Sequence, residues 1–225
     1  MRSVDIPPLS AEDNAHLSGF EDVWMRALGV GIQATVREMF LDRGYVLCDT
    51  LPCLSLLRET EAQPQGDLLY VYALNKQREP VIAKIMPHLR AGIADTNAFS
   101  VALSAMHVRH GVLVAADFSS HHRWVEKLYK NVSLSYFTSS ELVNNPIKHE
   151  LVCPHKALTE AETAEFKRKF MVDGVFDPKC IPALLPGDAM TRYYNFTEGT
   201  IVRVYRSLLS CNEEPQLDAF RIVRN

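Results

Sequence analysis

The strongest constraint on the fold is an alternation in the first half of the chain. Pro80–Met86 reads as a strand, Ala94–Val108 as a helix, and Gly111–Ala116 as a strand of buried composition. Strand, helix and strand in succession point to an α/β layer, because each helix must bury its apolar stripe against a sheet face. Gly66–Leu74 reads as an earlier strand and Val132–Phe137 as a later one, with a helical stretch over Arg123–Tyr129 between the layers. Upstream, Phe20, Val23, Trp24, Ala27, Leu28, Ile32, Val36, Met39 and Phe40 recur at mostly three- and four-residue spacing, which predicts a helix. Gly29 and Gly31 are expected to break or bend it, and Asp42-Arg43-Gly44-Tyr45 to end it, with Gly44 suited to the left-handed C′ position. Residues 1–19, polar and Pro-containing, are expected to form a flexible arm.

A boundary is expected at Pro146, because Ser139–Lys148 is polar and Asn144-Asn145-Pro146 is a turn signal. The organisation predicted is an arm over 1–19, one domain over 20–145 and a second over 146–225. The second carries a well-marked helix, started by the capping box Thr159-Glu160-Ala161-Glu162, and two closing strands, Thr200–Tyr205 and Ala219–Val223.

Composition removes several function classes. The first segment, Met1–Pro8, has no uninterrupted apolar run and does not read as a secretory signal. No stretch approaches the ~20 apolar residues of a membrane-spanning helix, so no membrane partner is expected. Cys48, Cys53, Cys153, Cys180 and Cys211 contain no Cys-x-x-Cys pair, and their odd number argues against a disulfide framework or a cysteine-rich zinc site. Net charge is −3. Residues 1–145 hold 13 Lys/Arg against 16 Asp/Glu, and residues 146–225 hold 11 of each. Neither part can hold DNA by bulk charge, so any such contact must be local.

The second half carries an ordered set of motifs. His149-Glu150-Leu151-Val152 and His155 precede the capped helix; then come Ile181-Pro182, Gly187-Asp188, Arg192-Tyr193-Tyr194, Gly199, Ile201-Val202-Arg203-Val204, Arg206 and Phe220-Arg221-Ile222-Val223. This order and spacing resembles the fifth subunit of the eukaryotic nuclear RNA polymerases, a component with a counterpart in the archaeal enzyme. The likeness covers residues 149–225 with one insertion near Met171–Lys179. Asp42-Arg43-Gly44-Tyr45 and the segment Gly92–Ala115 extend it more faintly. The family has Pro where Ala189 stands, Gly where Asn195 stands, and a different pair at Cys153-Pro154. These departures suggest a divergent paralogue, dedicated for instance to RNA polymerase I.

The resemblance implies an α+β protein: an N-terminal α/β jaw domain of nuclease-like topology without the active site, and a small C-terminal mixed-sheet assembly domain with helices on one side. It implies a non-catalytic polymerase subunit in the nucleus, or in the nucleolus if specific to polymerase I. The C-terminal domain would anchor to the largest subunit, among other polymerase subunits, and the jaw would reach toward downstream duplex DNA. His149, Leu151, His155, Asp188, Arg192, Tyr193 and Arg206 would form the docking face. Arg forks its hydrogen bonds and aromatics dominate interface energies. By the residues alone Tyr193 reads as a core residue and Arg192 as a solvated charge; with the resemblance the docking reading is favoured.

His149 and His155 read as structural, since their spacing is not that of metal ligands. Ser119, Ser120, His121, His122 and Arg123 follow a buried strand, where α/β layers place functional loops. Either a serine caps the next helix, or the segment also touches DNA phosphates. No cofactor and no metal is expected. A divergent metal nuclease is the sharpest rival; it needs a carboxylate where Ile82 stands, between Asp67 and Lys84. An adaptor acting outside a polymerase is the other.

Overall fold

The computed structural model describes residues 11–49, 69–120, 128–129, 131–171, 174–206 and 217–224. They form two compact units. One comprises Met1–Phe40 and Gly44–Asn144, the other Leu41–Arg43 and Asn145–Asn225.

The first unit opens with helix α1, Ala11–Asp42. The helix therefore begins within the stretch expected to be an arm, since no proline interrupts the chain between Pro8 and Asp42. It also continues through Gly29 and Gly31. A Cβ on Gly29 would sit 3.1 Å from Leu69 and 3.4 Å from Pro87, so the missing side chain lets the helix approach the sheet closely. Gly44 ends the helix at φ +75°, as expected, and the Tyr45 amide closes back on the Phe40 carbonyl at 2.9 Å.

Five strands follow: β1 (Val46–Cys48), β2 (Leu69–Leu74), β3 (Pro80–Ala91), β4 (His110–Phe118) and β5 (Ser133–Thr138), in spatial order β1-β2-β3-β4-β5. The β1–β2 and β2–β3 pairs are antiparallel; β3–β4 and β4–β5 are parallel. Helix α2 (Ile93–Ala105) provides the crossover from β3 to β4. Its Phe99, Ala102 and Leu103 pack against Ile82, Leu113 and Leu134 on one sheet face. The other face presents buried Val71, Ala73, Val81, Ala83, Ile85, Val112 and Val114, and α1 adds Ile32, Val36, Met39 and Phe40 to the core. Strand β3 outruns its expected end at Met86. Its pairing with β4 slips between Met86 and Arg90, where Pro87 has no amide to offer the ladder. The short helix α3 (Ser139–Leu142) then closes the unit, Ser139 Oγ donating to the Pro87 carbonyl at 2.9 Å.

In the second unit, Asn145 caps a 3₁₀ turn over Pro146–Lys148, its Oδ1 accepting the Ile147 amide at 3.1 Å. A mixed sheet follows in spatial order β6-β8-β9-β7, from β6 (His155–Ala157), β7 (Ala183–Leu184), β8 (Ile201–Arg206) and β9 (Leu217–Val223). Only the β7–β9 pair is parallel. Helix α4 (Glu160–Lys169) starts at the expected capping box: Glu162 accepts from the Thr159 amide at 2.8 Å and donates its own amide to Thr159 Oγ1 at 3.3 Å. The bond from the Thr159 amide, and then one from its hydroxyl to the same carboxylate at 2.9 Å, hold the Glu162 carboxyl below its ordinary value. Alternation along β8 and β9 makes two faces. Ile201 and Ile222 meet Phe166 of α4 on one; Val202, Val204 and Val223 lie on the other with Leu184. Helix α5 (Ala189–Tyr194) turns Met190 toward the second face, so the helices do not share one side as expected.

Among the described residues no helix is long and apolar enough to cross a membrane. Cys48, Cys153 and Cys180 are free thiols.

Two glycines should respond oppositely to alanine. At Gly111 a Cβ would lie 2.5 Å from Leu103 and 2.9 Å from Leu134, so Gly111→Ala should cost about 1–3 kcal/mol through overpacking. At Gly31, within α1 and with nothing inside 4 Å, Gly31→Ala should add about 0.5–1 kcal/mol. Urea unfolding of both variants checks the pair.

Candidate functional site

The candidate site is a groove on the second unit, and a buried clamp builds its wall. Helix α5 is only six residues long, too short to persist without help at both ends. At its start Asp188 is extended (φ −60°, ψ 142°) and its Oδ1 accepts the Met190 amide at 2.8 Å. Ala189 therefore occupies the first helical position. At its end Asn195 takes the left-handed conformation (φ 55°, ψ 44°), which its short polar side chain tolerates.

The C-terminal carbonyls of α5 are claimed by Arg43. Its Nε donates to the Tyr193 carbonyl at 2.7 Å and its Nη2 to the Arg192 carbonyl at 2.9 Å, with the side chain 6% exposed. A guanidinium at a helix C-terminus satisfies orphan carbonyls and opposes the negative end of the dipole. Next to it, the Tyr193 hydroxyl donates to Asp42 Oδ2 at 2.7 Å. Burial, and then the bond to Asp42 and its charge, push the Tyr193 phenol far above its ordinary value. Asp42 and Arg43, read from the sequence as a helix end, thus bond directly to the Arg192-Tyr193 motif.

Beyond α5 the groove, about 970 Å³ in volume, runs over the second face of the sheet. Leu184, Val204 and Met190 give it an apolar floor; Leu151 and Leu185, 77% and 60% exposed, stand at its rim. Arg206 of β8 and Arg221 of β9 enter from the same face by strand alternation, and Arg221 Nη1 donates to the Ala183 carbonyl at 3.2 Å.

Of the expected docking residues, Leu151, His155, Asp188 and Arg206 line this groove together. His155 is held by a 2.6 Å contact from Nδ1 to the Cys153 carbonyl, which leaves Nε2 as the free ring nitrogen. His149 does not line the groove; its Nδ1 accepts the Leu151 amide at 3.2 Å and so shapes the turn that presents Leu151. Arg192 folds back, its Nε donating to the Gly187 carbonyl at 3.2 Å. Tyr193 is a correction: at 0% exposure it is a core residue and offers no surface to a partner. Arg221 and Leu185 were missed, although Arg221 stands in a quoted motif. Its place two residues before the buried Val223 carries the signal, since period two puts both on one face.

In the first unit, Ser119 and Ser120 follow β4 at the C-terminal end of the parallel strands, where the Ser119 amide donates to the Ala91 carbonyl at 3.0 Å. His121, His122 and Arg123 lie outside the described residues, as does Asp67. Ile82 is fully buried in the α2-facing core, where the rival nuclease reading needs a metal-binding carboxylate. Among the described residues no group of three His, Cys, Asp or Glu could hold a metal ion.

Comparison with known proteins gives these residues a context. Residues 144–223 match the family described as RNA polymerase Rpb5, C-terminal domain. Over 187 residues the chain is 23% identical to the DNA-directed RNA polymerases I, II, and III subunit RPABC1 of Caenorhabditis elegans, covering 78% of this chain and 87% of that one. Over 185 residues it is 28% identical to the DNA-directed RNA polymerases IV and V subunit 5B of Arabidopsis thaliana, covering 78% and 82%. Among solved structures, EndoMS in its apo form aligns over 42% of this chain and 38% of its own, with 14% identity and a TM-score of 0.29. That likeness is too slight to bear on the fold.

The clamp makes two predictions. Arg43→Ala removes two charge-assisted bonds and should destabilise the protein by about 2–4 kcal/mol in denaturant unfolding, whereas Arg206→Ala, at the exposed groove, should stay within about 0.5 kcal/mol. The second concerns pH. Because the folded phenol of Tyr193 is raised above its unfolded value near 10.0, its contribution is complete below that pH and fades as pH rises above it. Melting temperature should therefore fall above about pH 10, and Tyr193→Phe, less stable at neutral pH, should show a shallower alkaline decline.

Proposed function

We propose, from a chain whose residues 144–223 match the RNA polymerase Rpb5 C-terminal domain, that this protein is a subunit of a nuclear multisubunit DNA-directed RNA polymerase. It contributes positioning and grip, and catalysis resides in the large subunits. The observation that carries this reading is the groove. Four residues singled out by family motif, Leu151, His155, Asp188 and Arg206, come from separate segments yet line one open, mostly apolar surface. Exposed Leu151 and Leu185 at a rim are costly to leave in water and gain by burial against a partner. The groove face anchors the chain to the largest subunit.

The first unit extends toward downstream duplex DNA. Ser119 and Ser120 sit at the C-terminal tip of a parallel strand, the edge at which open α/β sheets present ligand-contacting loops. With 13 basic against 16 acidic residues before position 146, the contact is made by a few hydroxyls and amides, supported by His121, His122 and Arg123, while neighbouring subunits supply the positive field. The low identity to the worm and plant relatives fits a divergent paralogue that serves one polymerase class.

Affinity purification of the tagged chain from its own cells tests this reading. The largest polymerase subunits should be recovered in equal amounts, and Leu151→Asp should reduce that recovery at least about tenfold while the circular dichroism melt is unchanged. Recovery of the chain without any catalytic polymerase subunit would support an adaptor acting elsewhere. Divalent-metal-dependent DNA cleavage by the purified chain would support a nuclease.

A further inference from the structure

The chemistry of the groove points to one kind of occupant. Two guanidinium side chains, Arg206 and Arg221, rise from adjacent strands on the same sheet face. Arg221 spends one donor on the Ala183 carbonyl and keeps the rest of its fork. Arg206 has no hydrogen bond or ion pair among the described residues. The acid that shares the groove with them, Asp188, has its Oδ1 committed to the Met190 amide at the start of α5. The surface therefore holds more positive charge than it neutralises, above an apolar floor of Leu184, Val204 and Met190.

We infer that the groove binds a short acidic segment of a partner polypeptide, whose carboxylates are forked by Arg206 and Arg221 and whose apolar side chains fill the space between Leu151 and Leu185. The assignment deepens the docking reading given above and rests on it. Arginine favours carboxylate because two parallel N–H donors match its two oxygens. A nucleic-acid strand fits poorly. Its recognition draws on a track of phosphate contacts and on aromatic platforms, whereas residues 146–225 carry 11 basic and 11 acidic residues and no Phe, Tyr or Trp lines the groove. A basic segment would meet two cations with a single, already bonded carboxylate to compensate.

Fluorescence anisotropy with the full-length chain tests this with defined probes. Three labelled hexapeptides alternate Leu with Glu, Leu with Gln and Leu with Lys; a thymidine oligonucleotide is the fourth probe. The Leu/Glu peptide should bind at least about tenfold more tightly than the Leu/Gln peptide and weaken as salt is raised. Arg206→Glu, at a side chain with no hydrogen bond or ion pair among the described residues, should abolish that preference and turn it toward the Leu/Lys peptide. Equal binding of the Leu/Glu and Leu/Gln peptides, an unchanged preference in Arg206→Glu, or tighter binding of the oligonucleotide would each overturn the inference. The outcome separates from the polymerase reading. Co-purification of large polymerase subunits without acidic preference leaves that reading standing and removes this one; acidic preference without co-purification does the reverse.

Discussion

Arg43 is the side chain on which the second unit most depends. A guanidinium at 6% exposure is expensive to bury, and the protein offsets the cost by giving it the two carbonyls that end helix α5. That helix has six residues and would not hold its shape alone. With Asp188 closing its start, Arg43 closing its end and the Tyr193 ring fully buried beside them, both termini and one side are satisfied. Asp42 completes the arrangement by accepting the Tyr193 hydroxyl. A fixed α5 in turn sets the position of Met190 and Asp188, and so the wall of the groove.

The division of labour among similar residues follows from this. Tyr193, buried and bonded to a carboxylate, belongs to the scaffold, while Leu151 and Leu185, neither packed nor paired, belong to the surface. The two histidines divide in the same way. His149 bonds the Leu151 amide and shapes a turn; His155 is oriented by the Nδ1 contact to the Cys153 carbonyl and lines the groove. A residue's chemistry alone does not assign it to scaffold or contact. Its unused bonding capacity does.

The ends of α5 are set by local backbone chemistry. Asp188 accepts the Met190 amide ahead of Ala189, the first helical residue. Asn195 closes the other end at φ 55°, a conformation its short polar side chain tolerates. Together these two residues hold the turn that places Asp188 and Met190 at the groove.

Much of the local structure was legible from the sequence because it is governed by contacts within a few residues. The α4 capping box, the left-handed Gly44 and the strand–helix–strand alternation of the first unit are of that kind. The start of α1 is not legible in the sequence, since the polar residues from Ala11 onward read as an arm, and Gly29 reads as a break although in the fold it lies against Leu69 and Pro87. What the sequence could not contain is the pairing of positions about 150 apart: Arg43 with the carbonyls of Arg192 and Tyr193, and Asp42 with the Tyr193 hydroxyl. No periodicity links such distant positions, and only packing of the whole unit could decide that Tyr193 goes inside while Arg221, unremarked in its motif, faces the groove. Composition and short-range spacing settled which elements form; burial, which exists only once the chain is folded, settled which of their side chains remain available to a partner.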